Sequence, residues 1–353
     1  MLTLDTYTFS SALPESFTIE TEQDEDHVEV DIFLDGQTAY STRLYANSAG
    51  VCTFYELRSI VEQYMIAHNL TLASFELMIS HENGGEQLED KYIIFSRHKH
   101  VNNDTLDFLE SHFLVNRPSY VMPRKSFGSI SFFATPEEYC TPFIDCVFER
   151  DGEIVNYRLN YSLYYHNVPY IYHISIAPMN IRNMVIAAAE DYGKLLSFTV
   201  HVGSRSLTVY VVDEKPAIAF TFLNSYNAYE TIFIIGTTTH KTEISRKEAV
   251  TQNITSFYDK SVSRKWEVKT VPLSQEEAMW FNDFLESDYV TLNLSQEHND
   301  LRILISDITS EISDSSKDKV HMKFSWRFDD NSLWLDENRY PQVFTAPYND
   351  TFK

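Results

Sequence analysis

The chain has 353 residues, 43% hydrophobic and 14% aromatic, which suits two or three domains with sizeable cores and excludes global disorder. Its net charge of −23 excludes a protein that coats nucleic acid or an anionic membrane, because both tasks need clustered Lys and Arg. Only nine residues are Gly, and G-x-G-x-x-G, G-x-x-x-x-G-K-[ST] and G-x-S-x-G are all absent, which argues against nucleotide-binding and nucleophile-elbow folds.

Residues 1–25 are mostly polar and read as an N-terminal arm or lead-in strand. They lack a basic region followed by an apolar run, so no secretory signal is expected. No window holds 18 apolar residues, so no transmembrane helix is expected either. In a first β unit over 26–98, Val28, Val30, Ile32 and Leu34 alternate with more polar neighbours, and Asp35-Gly36 predicts a tight hairpin turn. Leu57, Ile60, Val61, Tyr64 and Met65 fall at helical spacing and predict a helix over about 55–68. Phe75, Leu77 and Ile79 then alternate, before a Gly-rich turn and a short apolar strand at 92–95. Residues 99–125 read as a linker with a short helix inside.

A second unit over 126–215 repeats the order. A strand over 143–149 runs into Asp151-Gly152, strands follow near 154–164 and 170–176, and Pro178 opens a helix to about residue 191. Two alternating strands close it. The third unit, over 216–330, has weaker early strands, and its polar stretch 237–255 reads as a long loop. A strand over 262–271 precedes a helix whose Ser274 and Glu277 have capping-box spacing. Strands near 290–294 and 301–305 follow, then a nine-residue alternation over 320–328. Residues 331–353 read as a C-terminal arm. The fold class expected is mainly β (α+β), with three β-sandwich or barrel-like units each flanked by one helix.

Few residues invite chemistry. His98 and His100 on a strand would share a face, but spacing marks no third metal ligand, so they read as polar strand-end residues. His166 and His173 read the same way. The pairs Glu137-Glu138 and Asp329-Asp330 read as solvated charge, because glycosidase acids converge from separate segments. Trp266, Trp280, Trp326 and Trp334 read as core rather than a sugar platform. The Asn-rich run 220–231 reads as a domain junction or oligomer contact rather than a pocket. Cys52, Cys140 and Cys146 read as small buried residues in a reducing compartment, although a Cys140–Cys146 bridge stays open. No catalytic, cofactor-binding or metal-binding residue is assigned.

The third unit resembles structural proteins of bacteriophage tails: tail tube, distal tail and baseplate hub. The residues that carry this are Arg264 to Val268, the helix over 274–286, Leu301 to Asp307 and Lys323 to Phe328. The segments 222–227 and 241–246 are similar to tail-region proteins of gut-bacterial phages. The resemblance covers roughly residues 195–330. It implies a non-enzymatic virion protein without cofactors, made in the bacterial cytoplasm. Its partners would be copies of itself, in a hexameric or trimeric ring, and the adjacent tail tube, tape-measure or baseplate proteins. DNA would pass an acidic channel wall without specific binding, and no membrane anchor is implied. The alternative reading is a carbohydrate-binding or adhesin-like module for host recognition.

Overall fold

Two Asp-Gly turns frame the fold. Asp35 and Gly36 both have positive φ (49° and 70°), as do Asp151 and Gly152 (55° and 85°), the geometry of a tight two-residue hairpin loop. The computed structural model describes residues 2–21, 26–82, 84–98, 104–117, 119–138, 141–213, 218–251, 254–292, 301–309 and 320–329. The protein is mainly β, with four α-helices among the described residues, and none of its sheets closes into a barrel.

The first unit runs β1 (Tyr7–Phe9), β2 (Ser16–Glu20), β3 (His27–Leu34), β4 (Gln37–Tyr45), β5 (Val51–Tyr55), α1 (Leu57–Ala67), β6 (Leu72–His81) and β7 (Gly84–Ile94). Its main sheet has the order β1-β7-β6-β3-β4, with β1 parallel to β7 and a separate β2-β5 ribbon. After α2 (Thr105–Ser111), the second unit runs β8 (Ser119–Pro123), β9 (Ser129–Ala134), β10 (Phe143–Arg150), β11 (Glu153–Asn160), β12 (Tyr170–Ser175), α3 (Pro178–Ala188), β13 (Lys194–Val202) and β14 (Arg205–Val212). Its sheet is β8-β14-β13-β10-β11, again with a parallel first pair, and β9-β12 forms the ribbon. The two units therefore share one topology strand for strand.

A matched side-chain pair supports this equivalence. In both hairpins the sixth residue pair from the turn joins a carboxylate to an arginine, Glu29↔Arg43 and Asp145↔Arg158. Both pairs are hydrogen-bonded. A β-bulge at Ala39 in β4 puts Arg43 one residue further from its turn than Arg158 is from its own.

The third unit differs. It runs β15 (Ile218–Leu223), β16 (Tyr229–Ile234), β17 (Gly236–Thr251), β18 (Ile254–Thr270), α4 (Gln275–Leu285), β19 (Val290–Leu292), β20 (Leu301–Thr309) and β21 (Lys323–Phe328). These strands form one seven-stranded antiparallel sheet, β16-β15-β19-β20-β21-β18-β17. The element order read from the sequence, strand, helix, strand, strand, is present as β18-α4-β19-β20, but these strands join one sheet of a different topology from the first two units. Ser274 does cap α4 reciprocally with Glu277, through bonds of 3.2 and 2.9 Å, as the spacing predicts.

Other readings resolve or change. Of the arm and the lead-in strand read for residues 1–25, residues 7–20 take the strand form, because β1 edges the first sheet and Phe9, Leu13, Phe17 and Ile19 are buried. The stretch 99–125 is not only a linker, because β8 completes the second sheet. The long loop read over 237–255 is replaced by strand at 237–251 and 254–255, parts of the paired strands β17 and β18. The arm expected over 331–353 lies outside the described residues.

The cores explain how the units sit. The first has its own, built by Val30, Ile32, Phe54, Val61 and Leu77. The second and third share one, in which Met122, Phe198, Phe222, Trp280 and Trp326 belong to a single cluster. A smaller cluster of Phe9, Ile94, Leu109, Phe133 and Tyr226 joins all three.

Candidate functional site

The run 220–231 is a junction, one of the two roles its Asn content suggests. Asn227 adopts a left-handed φ of 56°, which Asn tolerates better than most residues. Its side-chain amide donates to the carbonyls of Met65 (3.1 Å) and Leu70 (2.9 Å), while its own carbonyl accepts from Thr71 Oγ1 at 2.8 Å. The third unit thereby bonds one carbonyl in the last turn of α1 and one in the segment just after it.

Beneath this loop lies a buried carboxylate, Glu230. It accepts from Tyr120 Oη, from Trp280 Nε1 at 2.8 Å and from Asn224 Nδ2 at 3.0 Å. The Arg117 guanidinium lies over the rings of both Trp280 (3.8 Å) and Tyr120 (4.2 Å). Burial raises the Glu230 carboxyl above its ordinary range and lowers Arg117. Burial likewise raises Asp283, which accepts from Asn116 Nδ2 at 2.8 Å. All three donors to Glu230 come from different elements, so the network fixes how β8, α4 and the 224–230 segment meet.

A second buried charge ties α2 to the second unit. Arg205 is fully buried and donates to Leu109 O (2.7 Å), Phe133 O (2.8 Å) and the Glu138 carboxylate (2.5 Å). Lysine would keep the charge but lose the planar fork. Arg205→Lys is expected to cost about 2 kcal/mol, read by denaturant unfolding, because two buried carbonyls lose donors.

The most exposed feature is the hairpin β17-β18. Beyond the pair His240↔Trp266, where β21 stops supporting it, eleven residue pairs continue outward. That is about 36 Å of two-stranded ribbon. Gly236 stands at its root, where a Cβ would fall 2.2 Å from the carbonyl oxygen of Lys269. One face of the ribbon continues the Trp266 row through Arg264, Ile244, Val262, Arg246 and Phe257. Ile244 and Phe257 are 52% and 57% exposed, an apolar stripe facing water. On the other face, Lys241 pairs with Glu267 and Lys265 with Asp307. Arg246 and Arg264 have no carboxylate partner among the described residues; Arg246 lies over Phe257 at 5.1 Å.

The other sequence candidates scatter. His98 lies beside Asn116, and His100 is outside the described residues. His166 stacks on Tyr170 at 3.9 Å, whereas His173 bonds Ser131 Oγ at 2.9 Å and is pushed down by burial. Glu138 serves Arg205, while Glu137 lines a shallow acidic cleft with Glu110 and Ser204. Asp330, Cys140 and Trp334 lie outside the described residues. Cys52 and Cys146 are buried, and burial pushes the Cys146 thiol up to about 12. Trp266, Trp280 and Trp326 are core residues. Among the described residues, no three or more His, Cys, Asp or Glu side chains cluster as metal ligands would.

The sequence missed the hairpin because both its faces meet water, which erases the alternation that marks a half-buried strand. A usable signal was present: two β-branched, charge-rich runs of nearly equal length around Gln252-Asn253. No known protein family matches the chain, and no curated protein sequence does either.

Proposed function

We propose that the protein is a structural component that assembles with copies of itself, of the type its third unit resembles at a phage tail tip. The observation that carries this is the projecting hairpin β17-β18. A two-stranded ribbon alone in water is marginally stable, and its edges, which pair with no further strand among the described residues, and its apolar stripe are a hazard unless something covers them. A subunit contact would both stabilise the arm and remove the hazard. In such a ring, the acidic body would let DNA pass without holding it.

The test is a shortened arm, with Lys241 joined to Lys265 through Asn-Gly, which keeps the His240–Trp266 pair at its root. Sedimentation velocity over a rising concentration series should show the full chain growing into closed oligomers. The shortened chain should melt at a similar temperature yet stay monomeric. A full chain that remains monomeric throughout, alone and with neighbouring virion proteins, would sink the proposal.

One observation favours the carbohydrate-binding alternative. Tyr164 is 84% exposed beside the His166–Tyr170 stack, so the 161–170 segment offers aromatic faces to a sugar ring. Glycan-array binding that Tyr164→Ala abolishes would support it.

A further inference from the structure

We infer that the β17-β18 arm docks on the outer face of the β3-β6 strands in the first unit of a second copy, an inference that rests on the assembly reading above. Charge selects this pairing. Residues 236–270 carry seven Lys and Arg against four Asp and Glu, a net of +3 in a chain whose net is −23. Residues 1–98 carry seventeen Asp and Glu against four Lys and Arg, a net of −13. The duplicate unit is an internal control. Residues 119–213 carry nine acids against seven bases, a net of −2, on the same strand topology. The acidity of the first unit is therefore not a requirement of its fold.

The local chemistry matches too. Val28, Val30, Ile32 and Leu34 point into the core, so Asp31 and Phe33 point outward from β3. They stand opposite Met78 and Glu76 of β6, giving a surface that alternates acid with half-buried apolar side chains. Asp31 and Glu76 have no cationic partner among the described residues. On the equivalent face of the second unit, Val147 stands where the first has Asp31, and Asp145, like its counterpart Glu29, is already held by an arginine. The arm offers the complement: Arg246 and Arg264, likewise without carboxylate partners, beside Ile244, Val262 and Phe257. Opposite charges steer such a contact and fix its register, while the apolar stripe supplies buried area.

Charge exchange in the full chain tests this, with association followed by sedimentation at low salt. Arg246→Glu/Arg264→Glu on the arm should weaken self-association at least about tenfold, and so should Asp31→Lys/Glu76→Lys on the face. Combining all four reversals should restore it. A thermal melt checks folding; if the lysine pair does not fold, Asp31→Asn/Glu76→Gln should give a smaller loss in the same direction. If the arm reversal weakens assembly while the face variants do not, and no rescue occurs, the docking face is wrong but the assembly reading stands. If neither the reversals nor the shortened arm changes association, both fall. If the arm reversal instead removes binding to a 20-base-pair DNA duplex and leaves self-association unchanged, nucleic acid is the arm's partner and the inference is overturned.

Discussion

Replacing Glu230 with alanine is expected to remove about 3–5 kcal/mol of stability, measured by urea unfolding at neutral pH. The loss is large because three buried donors depend on this one carboxylate. Tyr120 Oη, Trp280 Nε1 and Asn224 Nδ2 would all lose their acceptor at once. Arg117, mostly buried against the same two rings, would lose the nearby opposite charge. Glu230→Gln should cost less, about 1–3 kcal/mol. Its carbonyl oxygen can still accept from Tyr120 and Trp280, but its amide would face the Asn224 amide. Asn224 cannot turn over to accept, because its oxygen already takes the N–H groups of Tyr226 and Ala228.

The pH dependence has a definite sign. Burial raises the Glu230 and Asp283 carboxyls in the folded protein. A carboxyl raised on folding contributes its stability fully below its unfolded pKa of about 4 and loses it as pH rises through the raised value. Wild type should therefore lose stability relative to Glu230→Gln as pH climbs out of the ordinary carboxylate range. Surface acids act the other way. Hydrogen bonds from Arg158 lower Asp145, and those from Lys194 and Arg124 lower Asp213, so their contribution disappears on acidification. A Glu230→Gln profile parallel to wild type at every pH would show that this carboxylate is not the group responsible.

How much of this was legible beforehand depended on whether a residue's partner was local. Val28 to Leu34, the Asp-Gly turns and the Ser274–Glu277 cap were readable because period, turn and cap are set within a few residues. The duplication was visible as an order of elements but not as matched residues. The bulge at Ala39 shifts Arg43 against Arg158, which hides the equivalent carboxylate–arginine pairs from an ungapped comparison. Glu230 was unreadable because its three donors lie at 120, 224 and 280, and nothing in a short polar loop announces a buried charge. The third unit's strand order was likewise hidden. Its sheet places β19 beside β15 and sends the chain out through the arm, and neither choice leaves a mark on periodicity.

Trp326→Ala is expected to cost about 3–5 kcal/mol, with Trp326→Phe costing far less. Trp326 is fully buried and stacks on Trp266 at 4.3 Å between ring centroids, nearly parallel, with Phe220 and Phe328 edge-on. Alanine would open a cavity among rings too rigid to collapse into it. Phenylalanine fills much of that space and removes a liability, because no acceptor among the described residues reaches the indole N–H of either Trp326 or Trp266. An unsatisfied buried donor costs about 1–3 kcal/mol, which offsets part of the area lost with the smaller ring. The same stack roots the arm: Trp266 is the last residue of β18 that β21 supports, and His240 of β17 stacks on its far side. Trp326→Ala should therefore speed amide exchange along β17-β18 before it affects the first unit, whose core is separate. Uniform acceleration in all three units would mean that the stack anchors the whole molecule rather than the arm.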